Sequence, residues 1–455
     1  MKKNRILVAN RGEIAVRIIK ACKELGIESV LACSEADKES MGAKRADKTV
    51  IIGPPQPDKS YLDISKIVNT AVENGCDAIH PGYGFLAENP DLPSLCEEKG
   101  IIFIGPRPQT MRQMGDKISA RKAAVELNVP INEGSKGLTD SKEGEAIAEK
   151  IGYPVILKAA AGGGGRGMRI VQEKNNFKSE FDMASAEAQK AFGVPTLFVE
   201  RYLQNARHVE VQVLGDNYGK LIHLGLRDCS SQRRYQKVIE EALPYNLPAE
   251  LTDRISEAAV SLCQGINYNN AGTVEFLVDK DRNEFYFMEV NSRIQVEHPV
   301  TEEITGIDLV KEQIRIAYGD PLPIDQEDIE FKGHAIECRI TAENTKDDFM
   351  PTPGRIKNFY VPNETYVRVD THCYEGYLIT PFYDSLLAKV ITIGDTRDEA
   401  LENMRKALSS FEVSGVETNI PFLQFLINQP EFGTGDITIK WIEDTVLTKF
   451  LEVIN

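Results

Sequence analysis

The chain has 455 residues and a formal net charge of −16, with 42% hydrophobic and 27% charged residues. That length suits roughly two to four packed units, and the ordinary globular balance excludes bulk disorder. The acidic total argues against nucleic acid as a main partner, since that takes a basic face; the plain meaning of the charge is solubility.

The first 115 residues alternate strand and helix. RILVAN (5–10) reads as a buried strand. GEIAVRIIKACKELG follows as a helix, with Ile14, Ile18, Cys22 and Leu25 on one stripe and Gly26 as its stop. SVLACS, TVIIG, DAIHPG and IIFIGP are further strands, so an open α/β sheet is expected. The first turn reads N-R-G-E, not G-x-G-x-x-G, and does not support a dinucleotide site.

GPRPQTM (105–111) reads as a boundary, and GDKISARKAAVELNV as the next helix. Residues 131 to about 204 read as a compact unit: helix 140–151, strand 154–159, a glycine run, strand 168–172, helix 177–192 and strand 196–201. HVEVQVLGDNYGKLIHLGLRDC alternates like a hairpin turned by D-N-Y-G. A helix over about 249–265 and a second hairpin over 272–291 follow, then a linker, GDPLPIDQED (319–328), and a mixed α/β stretch over 332–450. There is no internal repeat, low-complexity tract or heptad pattern.

Eight cysteines, at 22, 33, 76, 96, 229, 263, 338 and 373, form no C-x-x-C pair and no zinc spacing with histidine. They read as small hydrophobes of a reduced, cytoplasmic protein. The opening MKKNRILVANRGEIA has no apolar core of signal-peptide length, and no apolar run approaches a membrane span.

LKAAAGGGGRGMRI (157–170) sets four glycines between a strand ending in Lys158 and a strand starting near Met168. A run without side chains lets backbone N–H groups approach an anion closely, and Lys158 and Arg166 add charge at both ends. The tip reads either as a flap over phosphates or as a plain surface loop; it is not a G-x-x-x-x-G-K-[ST] loop, because no helix opens after it.

GTVEFLVDKDRNEFYFMEVN holds two strands around the turn K-D-R-N. A symmetric hairpin sets Glu275 opposite Glu289, two carboxylates that repel across a ladder unless something neutralises them. Val274, Phe276, Leu277, Phe285 and Phe287 are too apolar for a solvated ribbon, so a divalent metal held by oxygen ligands, with Asn291 adding another, is the favoured reading over a bare strand face. If the chain stays extended, Glu289, Asn291, Arg293, Gln295 and Glu297 all point the same way. A carboxylate beside an arginine and an amide suits deprotonation of a small acid; a salt-bridged strand is the plainer alternative.

RDCSSQRRYQKVIEEA (227–242) concentrates Arg227, Arg233, Arg234 and Lys237, as a charged turn or as a cationic wall for phosphates. His80, His208, His298 and His334 show no mutual metal spacing, and only His208 adjoins nucleotide-binding candidates. Tyr83 lies in a glycine-flanked loop where aromatic packing is the default. Together, glycine flap, carboxylate pair and basic wall describe a site for a magnesium nucleoside triphosphate and phosphoryl transfer to a small acid.

These residues resemble biotin carboxylase, the ATP-grasp component of biotin-dependent carboxylases. ANRGEIAVRI, AIHPGYGFLAEN, FIGP, MGDK, KAAAGGGGRGMR, RHVEVQVL, RDCSSQRR, QKVIEEA, AGTVEF, NSRIQVEHPVTE, ITGIDLV and ECRITAE carry the resemblance over about residues 3–448. It implies an N-terminal α/β domain over 1–116, an ATP-grasp domain over 117–331 with a mobile lid over 131–204, and a mixed α/β C-terminal domain over 332–450. It implies ATP contacts from Lys117, Lys158, the glycines Gly162, Gly163, Gly164, Gly165 and Gly167, Met168, the hinge residues Glu200, Arg201, Tyr202 and Leu203, and His208, Gln232 and Leu277. Glu275 and Glu289, with Asn291, would bind Mg²⁺ or Mn²⁺. Glu297 would be the general base, and Arg293, Gln295 and Val296 would position bicarbonate. Lys237 would stabilise carboxyphosphate, Arg339 the biotin enolate, and Tyr83 would pack near the biotin ring.

The chain departs from the family's usual pattern at Tyr235, where histidine is common, and at Arg201, where lysine is common; Ala161 stands at a further glycine position. It carries no A-M-K-M-like biotinylation site and no carboxyltransferase segment, so a separate carrier protein and a separate carboxyltransferase are expected, with acetyl-CoA the first acceptor considered and pyruvate the next; the resemblance alone implies a homodimer. A different ATP-grasp carboxylate–amine ligase and a nucleotide-binding subunit without turnover are the competing readings; Arg293, Gln295, Glu297, Lys237 and Arg339 weigh against both.

Overall fold

The computed structural model describes residues 4–160 and 168–454. Strands β1 (Arg5–Val8), β2 (Glu28–Ser34), β3 (Lys48–Gly53), β4 (Ala78–His80) and β5 (Ile102–Phe103) form a parallel sheet in the order β3-β2-β1-β4-β5. Sheets of this kind are covered on both faces, which is why the strands read as continuous apolar runs. Helix α1 (Gly12–Glu24) packs Ile14, Ile18 and Cys22 on one face. Helix α2 (Met41–Arg45) follows β2, and α3 (Ile64–Glu73) and α4 (Asp91–Lys99) bring Ile67, Val68 and Leu92 to the other face.

The expected boundary at 105–111 is partly helix: α5 spans Pro108–Gly115 and α6 Lys117–Glu126. Pro108 opens α5 at a position where a helix needs no N–H, so the stretch read as a boundary runs directly into a helix.

The 131–204 unit has a core of its own. Helices α7 (Ser141–Ile151) and α8 (Lys174–Phe192) cover a three-stranded antiparallel sheet of β6 (Val155–Ala159), β7 (Met168–Val171) and β8 (Leu197–Arg201), ordered β7-β6-β8. Leu157, Val171, Phe177, Phe181 and Val199 are among the side chains that fill it. Lys158 pairs with Met168, so the glycine run does lie between hairpin strands, but Gly162 to Gly165 and Gly167 fall outside the described residues.

Strands β9 (Ala206–Gly215), β10 (Leu221–Arg233), β11 (Gln236–Ala242), β12 (Asn270–Asp279), β13 (Glu284–Asn291) and β14 (His334–Thr341) join the strands Val367–Thr371 and Leu386–Gly394 in one antiparallel sheet. It runs β13-β12-β9-β10-β11-β14, then Leu386–Gly394 and Val367–Thr371, so the central and C-terminal stretches share it. Period-two alternation sorts β9: Val209, Val211 and Val213 join a core with Phe276 and with Ile255 of helix α9 (Ala249–Gly265), while His208, Glu210 and Gln212 take the opposite face. Among the described residues no helix is long and apolar enough to cross a membrane, and all eight cysteines are buried and unbonded.

Two expectations for β12 and β13 change in detail. Glu275 does pair with Glu289, but not by symmetry. From Asp279–Glu284 to Phe276–Phe287 the register would bring Met288 opposite Glu275; a β-bulge there leaves Met288 exposed and moves Glu289 into place. The strand also ends at Asn291, and helix α10 begins at His298 (His298–Thr305), so residues 292–297 are a connection and not an extended strand. Helix α11 (Leu309–Ala317) follows.

Candidate active site

Sheet register builds the site. Arg227, Glu210, Glu275 and Glu289 stand side by side across β10, β9, β12 and β13. Three adjacent carboxylates on a mostly buried face are unfavourable without cations, and Lys237, from β11, supplies one. Its Nζ lies 2.6 Å from Glu210, 3.0 Å from Glu275 and 2.7 Å from Glu297. Arg227 pairs with Glu210 at 2.6 Å, both wholly buried. Arg339, from β14, reaches Glu297 at 3.0 Å and donates through Nε to Glu240 at 2.6 Å.

The connection 292–297 curls back onto this group. Arg293 donates to Gln295 Oε1 at 2.6 Å and to Asn291 Oδ1 at 3.1 Å, and pairs with Glu88 at 3.2 Å. Gln295 Nε2 donates to Glu275 at 3.0 Å. Arg293, Gln295 and Glu297 therefore do converge, through a turn of chain and not through strand alternation. His208 lies 3.1 Å from Glu275, and Gln232 is 3.3 Å from His208 Nδ1.

These charges set one another. Burial works to raise Glu297, but Lys237, Arg339 and Arg227 outweigh it and hold the carboxyl well below its usual range. Burial works to lower Lys237, but Cys229 and the three glutamates around it keep the ammonium well above. Glu289 is different. Burial and then the charge of Glu275 raise it, and its carboxylate makes no hydrogen bond or ion pair among the described residues. A divalent cation at the β12–β13 edge would supply the missing charge, and Glu289 and Glu275 are the oxygen donors it would meet. Asn291 is already committed to Arg293. Among the described residues, the ligand atoms that already lie within 4.8 Å of one another are those of His208, Glu210 and Glu275, and those of Glu210, Cys229 and Glu297.

At the junction with the 131–204 unit, Lys158 donates to Glu200 at 2.7 Å and Arg121 pairs with the same carboxylate at 2.9 Å. Lys117 Nζ lies 3.5 Å from the Ala159 carbonyl. Arg201 pairs outward with Glu133, Leu203 is buried, and Leu277 stands opposite His208 in the ladder. Tyr83 packs against the apolar cluster around α1, as expected, and its hydroxyl also donates to Glu13 of α1. Val296 accepts through its carbonyl from Lys389 at 2.6 Å.

The four-residue cationic wall does not form. Arg227, enclosed in the sheet, pairs with Glu210, and Lys237 bridges the carboxylates, but Arg233 and Arg234 turn away to Asp348 at 2.6 and 2.9 Å. Sequence reading missed Glu210, Glu240, Glu88 and Arg121. Glu210 carried a signal: in HVEVQV it alternates with valines, on the face of His208. Glu88 lay unremarked within HPGYGFLAEN.

Three family models match in chain order: "Biotin carboxylase, N-terminal domain" over residues 2–111, "Carbamoyl-phosphate synthase L chain, ATP binding domain" over 116–325, and "Biotin carboxylase C-terminal domain" over 337–444. Biotin carboxylase 1 of Bacillus subtilis is 50% identical over 440 residues, covering 96% of this chain and 98% of the relative. The chain belongs to the biotin carboxylase family. A pyruvate carboxylase subunit of Methanothermobacter thermautotrophicus is 49% identical, over 97% of this chain and 90% of that one. The biotin carboxylase domain dimer of Hydrogenobacter thermophilus 2-oxoglutarate carboxylase, solved with MgADP, ADP and bicarbonate, superposes with a TM-score of 0.92 at 48% identity, over 97% of each chain. The fold is the mixed α/β architecture expected from the sequence, and the family makes this carboxylase an ATP-dependent ligase. At the family's usual histidine, Tyr235 is half-exposed with Lys440 Nζ 5.3 Å from its ring centre.

Proposed function

We propose that this chain carboxylates biotin on a separate biotin carboxyl carrier protein, using ATP and bicarbonate, as the first half-reaction of an acetyl-CoA carboxylase. The observation that carries the reading is the buried Lys237–Glu297–Arg339 cluster, with Arg293 and Gln295 beside it. Glu297 is ionised and enclosed, poised to take a proton from an acid placed next to it. Arg293 and Gln295 hold bicarbonate by its oxygens, a charge-assisted arrangement, and Val296 lies between them and the base.

A bicarbonate oxygen attacks the γ-phosphorus of ATP, ADP leaves, and the bicarbonate proton passes to Glu297. Lys237 faces the carboxyphosphate so formed. Its carbon–oxygen bond then breaks to give CO₂ and phosphate, the phosphate takes the ureido N–H proton of biotin, and the resulting enolate attacks CO₂. Arg339 stabilises the enolate oxygen electrostatically. Lys117, Lys158 and the segment 199–203 hold the nucleotide, and Glu275 and Glu289 would hold Mg²⁺ or Mn²⁺, which would supply positive charge to phosphate oxygens. Residues 131–204, with a core separate from the main sheet, act as the lid of a 117–331 ATP-grasp domain set between 1–116 and 332–450. The buried free cysteines suit a reducing cytoplasm, and the dimeric relative supports a homodimer.

Phosphate release from MgATP decides this reading. Bicarbonate and free biotin together should stimulate it in the wild type, and Glu297→Gln should abolish the stimulation, by about a hundredfold or more. Hydrolysis indifferent to biotin would reject biotin as acceptor. Pyruvate and 2-oxoglutarate are rival final acceptors, favoured by the relatives at 49% and 48% identity. Pairing the carboxylated carrier with each type of carboxyltransferase separates them.

A further inference from the structure

Lys389 is wholly buried and lies outside the cage around Lys237. It comes from the strand Leu386–Gly394, far along the chain from the catalytic connection, yet its Nζ donates to the carbonyl of Val296 at 2.6 Å. The same ammonium is 3.2 Å from Glu13, on α1 of the N-terminal sheet layer, and 4.0 Å from Asp370. Asp370 is already gripped on both oxygens by Arg368 at 2.8 and 3.0 Å, which leaves Glu13 as the partner that depends most on Lys389. Glu13 in turn accepts from the Tyr83 hydroxyl. Glu337 is enclosed beside this group and neither of its oxygens has a hydrogen-bond partner; burial pushes its carboxyl well above the usual range. Burial opposes the Lys389 charge, but Glu13, Glu337 and Asp370 raise the ammonium, and it stays protonated.

The place of this contact gives it meaning. Residues 292–297 belong to neither β13 nor α10, so no ladder or helix bond fixes Val296. Its carbonyl takes its hydrogen bond from Lys389 and from no other described residue. One peptide earlier is Gln295, and one later is Glu297. A shift of about 1 Å in such groups costs about a hundredfold in rate, and groups of this kind are held only as well as the atoms behind them.

We infer that Lys389 is a positioning residue for the bicarbonate-binding connection, holding Val296 between Gln295 and Glu297, and that Glu13 holds Lys389 in place. Segments from the two ends of the chain thereby set the geometry of a site whose reacting groups lie in the middle. The inference rests on the function proposed above, and its test keeps the two apart.

The test is steady-state phosphate release from MgATP with biotin, varying bicarbonate and ATP separately. Lys389→Met should raise the KM for bicarbonate about tenfold or more, the loss expected for one charged hydrogen bond, with the KM for ATP within about twofold of wild type. Glu13→Gln keeps an acceptor for Tyr83 and should raise the bicarbonate KM in the same direction by a smaller factor. Because Lys389→Met alone leaves Glu13 unpaired, the double variant Glu13→Gln/Lys389→Met, which removes both charges, carries the test if the single variant does not fold. A merely structural Lys389 would lower the melting temperature and leave the KM values alone, or move both together; either result in folded protein overturns the inference. A wild type without biotin- and bicarbonate-dependent turnover overturns the proposed function instead, and this inference with it.

Discussion

The 131–204 unit and the central sheet treat charge in opposite ways. In the sheet, Arg227, Glu210 and Glu297 are wholly buried and Lys237 is 13% exposed, so cations and carboxylates are assembled and dehydrated by folding itself. In the smaller unit the core is apolar, and Lys158, 23% exposed, stands at its edge where it meets Glu200. The unit meets the rest through backbone contacts such as the bridge between Ile131 and Phe287. Under the proposed function, the chemistry would sit where geometry is costly to disturb, and the nucleotide contacts on a layer with a core separate from the main one. Damage to the sheet should therefore appear in kcat and in stability together, and damage to the smaller unit in the KM for ATP.

Lys237→Met breaks the comparison on the sheet side, with the largest effect. It leaves Glu210, Glu275 and Glu297 clustered without their shared ammonium. Removing one partner of a buried pair costs about 3–5 kcal/mol, so calorimetry should show a clear fall in melting temperature, and biotin-dependent phosphate release should be lost. A variant as stable as wild type would show that the cluster is not neutralised through Lys237. On the other side, Lys158→Ala leaves Glu200 with Arg121 at 2.9 Å, so folding should be nearly unaffected. Its KM for ATP should rise about tenfold, the loss of one charge-assisted contact, with kcat for saturating ATP changed far less. Equal losses in kcat and in melting temperature would erase the distinction between the two regions.

How much of this was readable in advance follows from how far apart the partners lie. Glu275 and Glu289 belong to one hairpin, so local alternation brought them together, although a bulge at Met288 and not symmetry completes the pairing. Arg293, Gln295 and Glu297 are neighbours in sequence and converge however the chain bends, so the group was legible while the extended backbone assumed for it was wrong. Glu210 was overlooked because a valine-flanked acid in a strand looks like a solvated face until its neighbours β10 and β12 are known. Arg233 and Arg234 looked like a wall because Asp348, their partner, lies on a distant loop. Lys389 had no local signal at all: LLAKVITIG reads as an ordinary buried strand, and only the fold sets its ammonium beside Glu13 and Val296.

The smallest expected effect concerns Glu240, which divides the sheet's own charges more finely. Glu240 and Glu241 are adjacent on β11 and so face opposite ways. Glu241 meets Arg397 at 2.7 Å and His334 at 2.9 Å; burial would raise it, but these partners hold it down at about 2. Glu240 faces Arg339 and the Lys237–Glu297 cluster. Burial raises its carboxyl, Arg339 draws it back, and Glu297 pushes it up again, to about 7. An acid whose pKa is higher folded than unfolded keeps a proton that the unfolded chain has released, so stability falls as pH rises from about 4 towards 7 and levels off beyond. Over the upper part of that range the newly ionised Glu240 also competes with Glu297 for Arg339. Glu240→Gln removes the proton, keeps a hydrogen-bond acceptor for Arg339, and should flatten both the stability slope between about pH 5 and 7 and the component of the activity profile near pH 7. If both profiles keep their shape in the variant, the group titrating near neutrality lies elsewhere, and Arg339 belongs to Glu297 alone throughout the working range.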